Sequence, residues 1–140
     1  MRYFIVEPEV AGGLGEHTTI DRSMHPPVVF KLHFQLDGWL GDDLLETFPC
    51  YIISDRLREQ LDKTSFSGFR ISEVEFSKSE EFEDHYPNKI LPAFYWLKVF
   101  GKAGVDDFGV SKDFKLVISE AVLDVLKNFK IDNCDIEENA

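Results

Sequence analysis

A chain of 140 residues with 44% hydrophobic and 14% aromatic content is long enough for one well-filled core without disulfide staples. Its formal net charge of -11 argues against nucleic acid and anionic membranes as ligands, because both are held through Lys and Arg. The N-terminal MRYFIVEPEV lacks the apolar core of a signal peptide and no apolar run approaches a membrane span, so the expected location is the cytosol.

In chain order, YFIV (Tyr3 to Val6), stopped by Pro8, reads as a first strand buried on both faces. The segment from Ala11 to Pro27 carries Gly12, Gly13 and Gly15 and ends on Pro26 and Pro27, which predicts a flexible surface loop. VVFKLHFQL then alternates, with Phe30, Leu32, Phe34 and Leu36 on an inner face and Lys31, His33 and Gln35 outside, as in one half-buried strand. Asp37 and Gly38 make a turn, Trp39 and Leu40 are candidate core anchors, and the residues from Gly41 to Thr47 open a short helix that Pro49 ends.

The stretch YIISDRLREQLDKTSFSGFRI (51–71) recurs, degenerate but ungapped, as LVISEAVLDVLKNFKIDNCDI (116–136). Each copy reads as strand, helix and strand, with Ser54 or Ser119 as N-cap, an acid in the first turn, and Leu57 and Leu61 or Val122 and Leu126 four apart on the buried face. Asn133 stands where the first copy has Gly68, which predicts a left-handed turn position in both. Between the copies, FRISEVEF switches parity as a bulged strand does. EVEFSKSEEFED follows with six acids and one lysine, a solvated segment with a short helix around Glu80 to Asp84. AFYWLKVFG is a further strand, the residues from Gly101 to Gly109 a loop, and the residues from Glu137 to Ala140 a frayed acidic tail. The expected fold is a single α+β domain of about six strands in a mostly antiparallel or mixed sheet, with two or three helices and the repeat helices on one side.

Chemistry is sparse. The glycine cluster AGGLGEHT lacks the third glycine and the following helix of a dinucleotide fingerprint. His17, His25, His33 and His85 are scattered without metal-ligand spacing, and His33 falls on the outer face of its strand. Asp42-Asp43 and Asp106-Asp107 each precede a repeat copy and suit turns and caps. Cys50 and Cys134 read as reduced, buried thiols, and Ser54 and Ser119 are already explained as caps. No catalytic residue, metal or cofactor is expected.

The pattern L-P-x-F-Y-W-L-x-V-x-G with its following aspartate pair (Leu91 to Asp107), and the I-S-D helix with its G-F-x-I exit (Ile53 to Ile71), resemble a bacterial family of small α+β proteins of unassigned function. Its members are often grouped with the immunity proteins of polymorphic toxin systems. The resemblance spans roughly residues 50–138 and leaves out the N-terminal third. It implies a cytosolic, non-catalytic binding module that neutralises a cognate toxin by direct contact, and it brings no catalytic residues with it. For an acidic inhibitor facing a basic partner, the expected contact surface is Glu80, Glu81, Glu83 and Asp84 with Tyr86. The alternative is a regulatory or small-ligand-binding protein with its pocket at the loop from Gly12 to Gly15. Strand order and oligomeric state are open at this level.

Overall fold

The computed structural model describes residues 1–139. These form an α+β fold with strands β1 (Tyr3–Glu7), β2 (Gly12–Leu14), β3 (Thr19–Asp21), β4 (Val28–Lys31), β5 (His33–Leu36), β6 (Leu44–Thr47) and β7 (Cys50–Ser54), then helix α1 (Asp55–Asp62). Strands β8 (Phe69–Ser72) and β9 (Glu75–Lys78), helix α2 (Glu80–His85), strands β10 (Phe94–Val99), β11 (Phe108–Val110) and β12 (Leu116–Ser119), helix α3 (Glu120–Leu126) and strand β13 (Asp135–Asn139) complete the chain.

The repeat is visible in three dimensions. One four-stranded sheet has the order β6-β7-β10-β8 and a second has β11-β12-β1-β13. In each, a strand, a helix and a strand flank a central antiparallel strand, a split β-α-β arrangement. The registers correspond: Leu97 of β10 sits between Tyr51 and Ile71, and Val6 of β1 sits between Leu116 and Ile136. Each half of the chain thus opens with a strand that completes the other half's sheet, since β1 inserts beside β12 while β10 inserts beside β7. The halves are interlocked rather than arranged side by side.

Capping explains where the helices begin. Ser54 and Ser119 take near-identical extended conformations, and their side chains accept the N–H groups of Leu57 and Val122. Leu57 and Leu61 of α1 and Val122, Leu123 and Leu126 of α3 meet in one cluster with Phe4, Val6, Ile53, Leu97, Phe108 and Ile118, so both helices serve the same core. A second cluster lies on the opposite face of β7 and β10, where Ile52, Phe94 and Trp96 pack against Leu32, Phe34, Leu36 and Phe82.

Several expectations are corrected. The residues from Leu44 to Thr47 form strand β6 and not a helix, because Leu44 and Leu45 pair with Ile53 and Ile52 across a hairpin. VVFKLHFQL breaks at Leu32: β4 leaves with β3 as a two-stranded ribbon, so Phe30 is 64% exposed, while β5 joins β2 and β9. The parity change after Ile71 is a change of sheet, from β8 to β9, rather than a bulge. Strand β1 alternates, with Phe4 and Val6 buried and its neighbours less so, instead of being buried on both faces. Leu40 is exposed and only Trp39 packs into a core. The tail residues Glu137 and Glu138 belong to β13, and Ala140 lies outside the described residues. Strand number exceeds the expected six because the glycine-rich segment and both aspartate loops supply short strands of their own, and because VVFKLHFQL and FRISEVEF each divide into two strands.

Candidate functional site

The aspartate pairs are structural, and they act across the repeat. The Asp43 carboxylate accepts from the Ser54 hydroxyl at 2.6 Å, from the Lys130 N–H at 2.8 Å and from the Arg56 guanidinium at 2.7 Å. Asp107 accepts from the Ser119 hydroxyl at 2.8 Å and from the Ser67 N–H at 3.0 Å. Each aspartate therefore fixes the cap of its own copy and ties down the segment that leaves the other copy's helix. Asp42 adds bonds from both the backbone and the side chain of Asn133, at 2.8 and 3.0 Å. Asn133 does not take a left-handed conformation, in contrast to Gly68 at φ 94°; its amide is used to reach Asp42. Gly68 is required twice over, since a Cβ there would also lie 2.0 Å from the Phe108 carbonyl oxygen.

Burial pushes the Cys50 thiol up to about 12, so almost none of it is thiolate at neutral pH. Burial, with Asp42 and other acids nearby, does the same to Cys134. Both are free thiols.

The predicted contact residues lie together on α2 and the turn after it. Ser79 caps the helix by accepting the Phe82 N–H at 3.1 Å, and Phe82 is fully buried in the second core, so a single short helix is bolted down at its centre. Glu80, Glu81, Glu83 and Asp84 are all exposed. None of the four carboxylates has an ion-pair partner among the described residues. Tyr86 packs beside Phe82 with ring centroids 5.3 Å apart. Lys89 lies over the rings of both Tyr86 and Trp39, at 5.0 and 5.5 Å, and donates to the Trp39 carbonyl at 3.2 Å. Leu40 and Ile90, next in the chain to these residues, are exposed, Ile90 to 92%. The result is a row of unpaired acids beside an aromatic and aliphatic patch.

The glycine-rich segment, expected as a surface loop, forms strand β2 and a turn packed on β5. Gly12 and Gly13 belong to β2, a Cβ on Gly12 would lie 2.0 Å from the Gln35 carbonyl oxygen, and the Gly15 N–H donates to the His33 carbonyl at 2.6 Å. A Cβ on Gly15 would fall 2.2 Å from the His33 ring. Gly12 and Gly15 permit close packing, and the face of β5 that carries His33 is covered rather than solvated, leaving His33 only 5% exposed. The same fold brings His17 and Glu75 to His33, a grouping that spacing along the chain did not reveal. Glu75 is therefore not a solvated member of an acidic run: Lys31 lies 3.2 Å from one of its oxygens and His17 contacts the other.

A separate apolar groove of about 370 Å³ is lined by Pro26, Pro27, Phe48, Trp96, Phe100 and Phe114, where the β3–β4 ribbon stands over the end of β10. Phe48 and Phe100 are exposed at its edge. Comparison with family models, curated proteins and solved structures finds no match. No helix among the described residues is long and apolar enough to cross a membrane.

Proposed function

We propose that this protein is a non-catalytic binding module that masks a basic protein partner, in the manner of an immunity protein neutralising a toxin in the cytosol of the producing cell. The observation that carries the reading is the α2 surface: Glu80, Glu81, Glu83 and Asp84 exposed without counterions, held on a helix anchored by Phe82, with Tyr86 alongside. Unpaired carboxylates on a fixed scaffold steer a cationic partner and set its orientation, while an adjacent aromatic supplies the desolvated centre of a contact. The engagement of Ser54, Ser119 and the aspartate pairs in folding, and the high thiol of Cys50, further support a binding role over a chemical one.

The experiment is co-expression with the protein encoded by the neighbouring upstream gene. The expected outcome is a stoichiometric complex that co-purifies at low salt and weakens as salt is raised. Failure to form a complex with a basic, folded neighbour counts against the reading. A second reading, a small apolar ligand in the groove formed by Pro26, Phe48 and Phe114, is favoured by the volume and lining of that groove. A rise in melting temperature with apolar small molecules, with no protein complex, would replace the first reading by the second.

A further inference from the structure

The geometry points to a site for one divalent transition-metal ion, of the zinc type in its ligand preference, formed by His17, His33 and Glu75. This goes beyond the binding role and does not depend on it. It also reverses the expectation that the histidines have no ligand arrangement.

Two imidazoles and a carboxylate are the donor set that zinc and its neighbours in the first transition row accept, with further positions left to water. The donor atoms of the three residues all lie within 4.8 Å of one another. Their convergence is a product of the fold. Strands β5 and β9 run parallel with His33 directly opposite Glu75, which places both side chains on one face of the ladder. The chain after β2 then carries His17 over that face. It is held there by the bonds of the Gly15 N–H and the Thr18 hydroxyl to the His33 carbonyl, at 2.6 and 3.0 Å, and by the return bond from the His33 N–H to Thr18 at 3.0 Å.

The outer partners of both rings fit ligation through Nδ1. His33 Nε2 lies 2.7 Å from the Ser77 hydroxyl, and its Nδ1 lies 3.6 Å from Glu75 Oε2. His17 Nδ1 contacts the same Glu75 oxygen, and its Nε2 lies 3.6 Å from the Glu16 carboxylate. With an ion bound, the distal His33 N–H has the Ser77 hydroxyl as its acceptor, the arrangement that orients a metal-bound imidazole, while the distal nitrogen of His17 faces solvent with the Glu16 carboxylate nearby. Two adjustments accompany binding. The His17 ring proton now facing Glu75 moves to Nε2, and the 3.2 Å bond from the His17 N–H to His33 Nδ1 is given up so that this nitrogen is free for the ion. Lys31 keeps Glu75 Oε1, so only Oε2 turns to the ion. His33 is buried and His17 is 57% exposed on its side chain, so an ion there has protein on one side and open positions towards solvent.

The test is calorimetric titration of the chelator-treated full chain with Zn²⁺, with Co²⁺ absorption as a second readout of nitrogen and oxygen ligation. One ion per chain is expected, with affinity reduced at least about tenfold by His17→Ala, whose exposed side chain can be removed without opening the core, and by Glu75→Gln. His25→Ala and His85→Ala are expected to leave the affinity unchanged. Absence of stoichiometric binding overturns the proposal. So does binding that survives His17→Ala and Glu75→Gln, which would assign the ion to the general acidic surface.

Discussion

Replacing Asp43 with alanine is expected to lower the free energy of unfolding by about 3 kcal/mol, measured by urea denaturation. The carboxylate is buried and holds the Ser54 hydroxyl, the Lys130 N–H and Arg56 at once. Its removal strands a buried hydroxyl and a backbone donor at the junction of the two repeat copies. Arg56 supplies the contrast. Its guanidinium is held above its ordinary value by the hydrogen bonds and charge of Asp43, but its side chain is 61% exposed. Arg56→Ala should therefore cost less than Asp43→Ala, because the Ser54 hydroxyl and the Lys130 N–H still hold the buried carboxylate when the exposed guanidinium is removed. Equal losses from the two substitutions would mean that the ion pair, and not the tie between cap and opposite copy, carries the stability.

The second large effect is expected in the core. Leu61→Ala and Leu126→Ala should each cost roughly 2 to 5 kcal/mol, because both side chains are buried and each would leave a cavity. They occupy equivalent places in α1 and α3 yet face one shared cluster. The double variant should therefore be measured beside the two single ones. If the cluster is one cooperative unit, the losses will depart from additivity, since side chains around a shared cavity are coupled. A silent substitution at either position would show that copy's helix to be dispensable to the core.

The parts of this fold legible in the sequence are those set by nearby residues. Ser54 and Ser119 identify both helix starts because an N-cap acts within three residues; the short helix α2 was read from its acids alone, and its cap, Ser79, is a third of the same kind that the sequence reading passed over. The alternation of β10 was readable because Tyr95, Leu97 and Val99 face one cluster while Phe94 and Trp96 face the other. The exchange of β1 and β10 between the sheets was not, since either strand's apolar pattern suits either sheet and only long-range register decides. His33 was misplaced for a related reason. Its outward direction on β5 was correctly expected, but the glycine segment that closes over it lies far away in the chain. The acidic face was legible as composition. That its carboxylates are unpaired while Glu75, in the same run, is held by Lys31 and His17 emerges only in three dimensions.

Asp42, Asp43 and Asp107 are consumed by the fold, and the surface of α2 is not. The most direct measurement is the affinity at low salt for the proposed basic partner isolated by co-expression, comparing the native chain with a Glu80→Lys, Glu81→Lys, Glu83→Lys and Asp84→Lys variant. A Glu83→Lys and Asp84→Lys variant, which leaves the first two acids of the helix in place, separates loss of contact from fraying of the helix. The account predicts a loss of at least about a hundredfold for the full reversal and an intermediate loss for the partial one. Equal affinity for all three chains would contradict it.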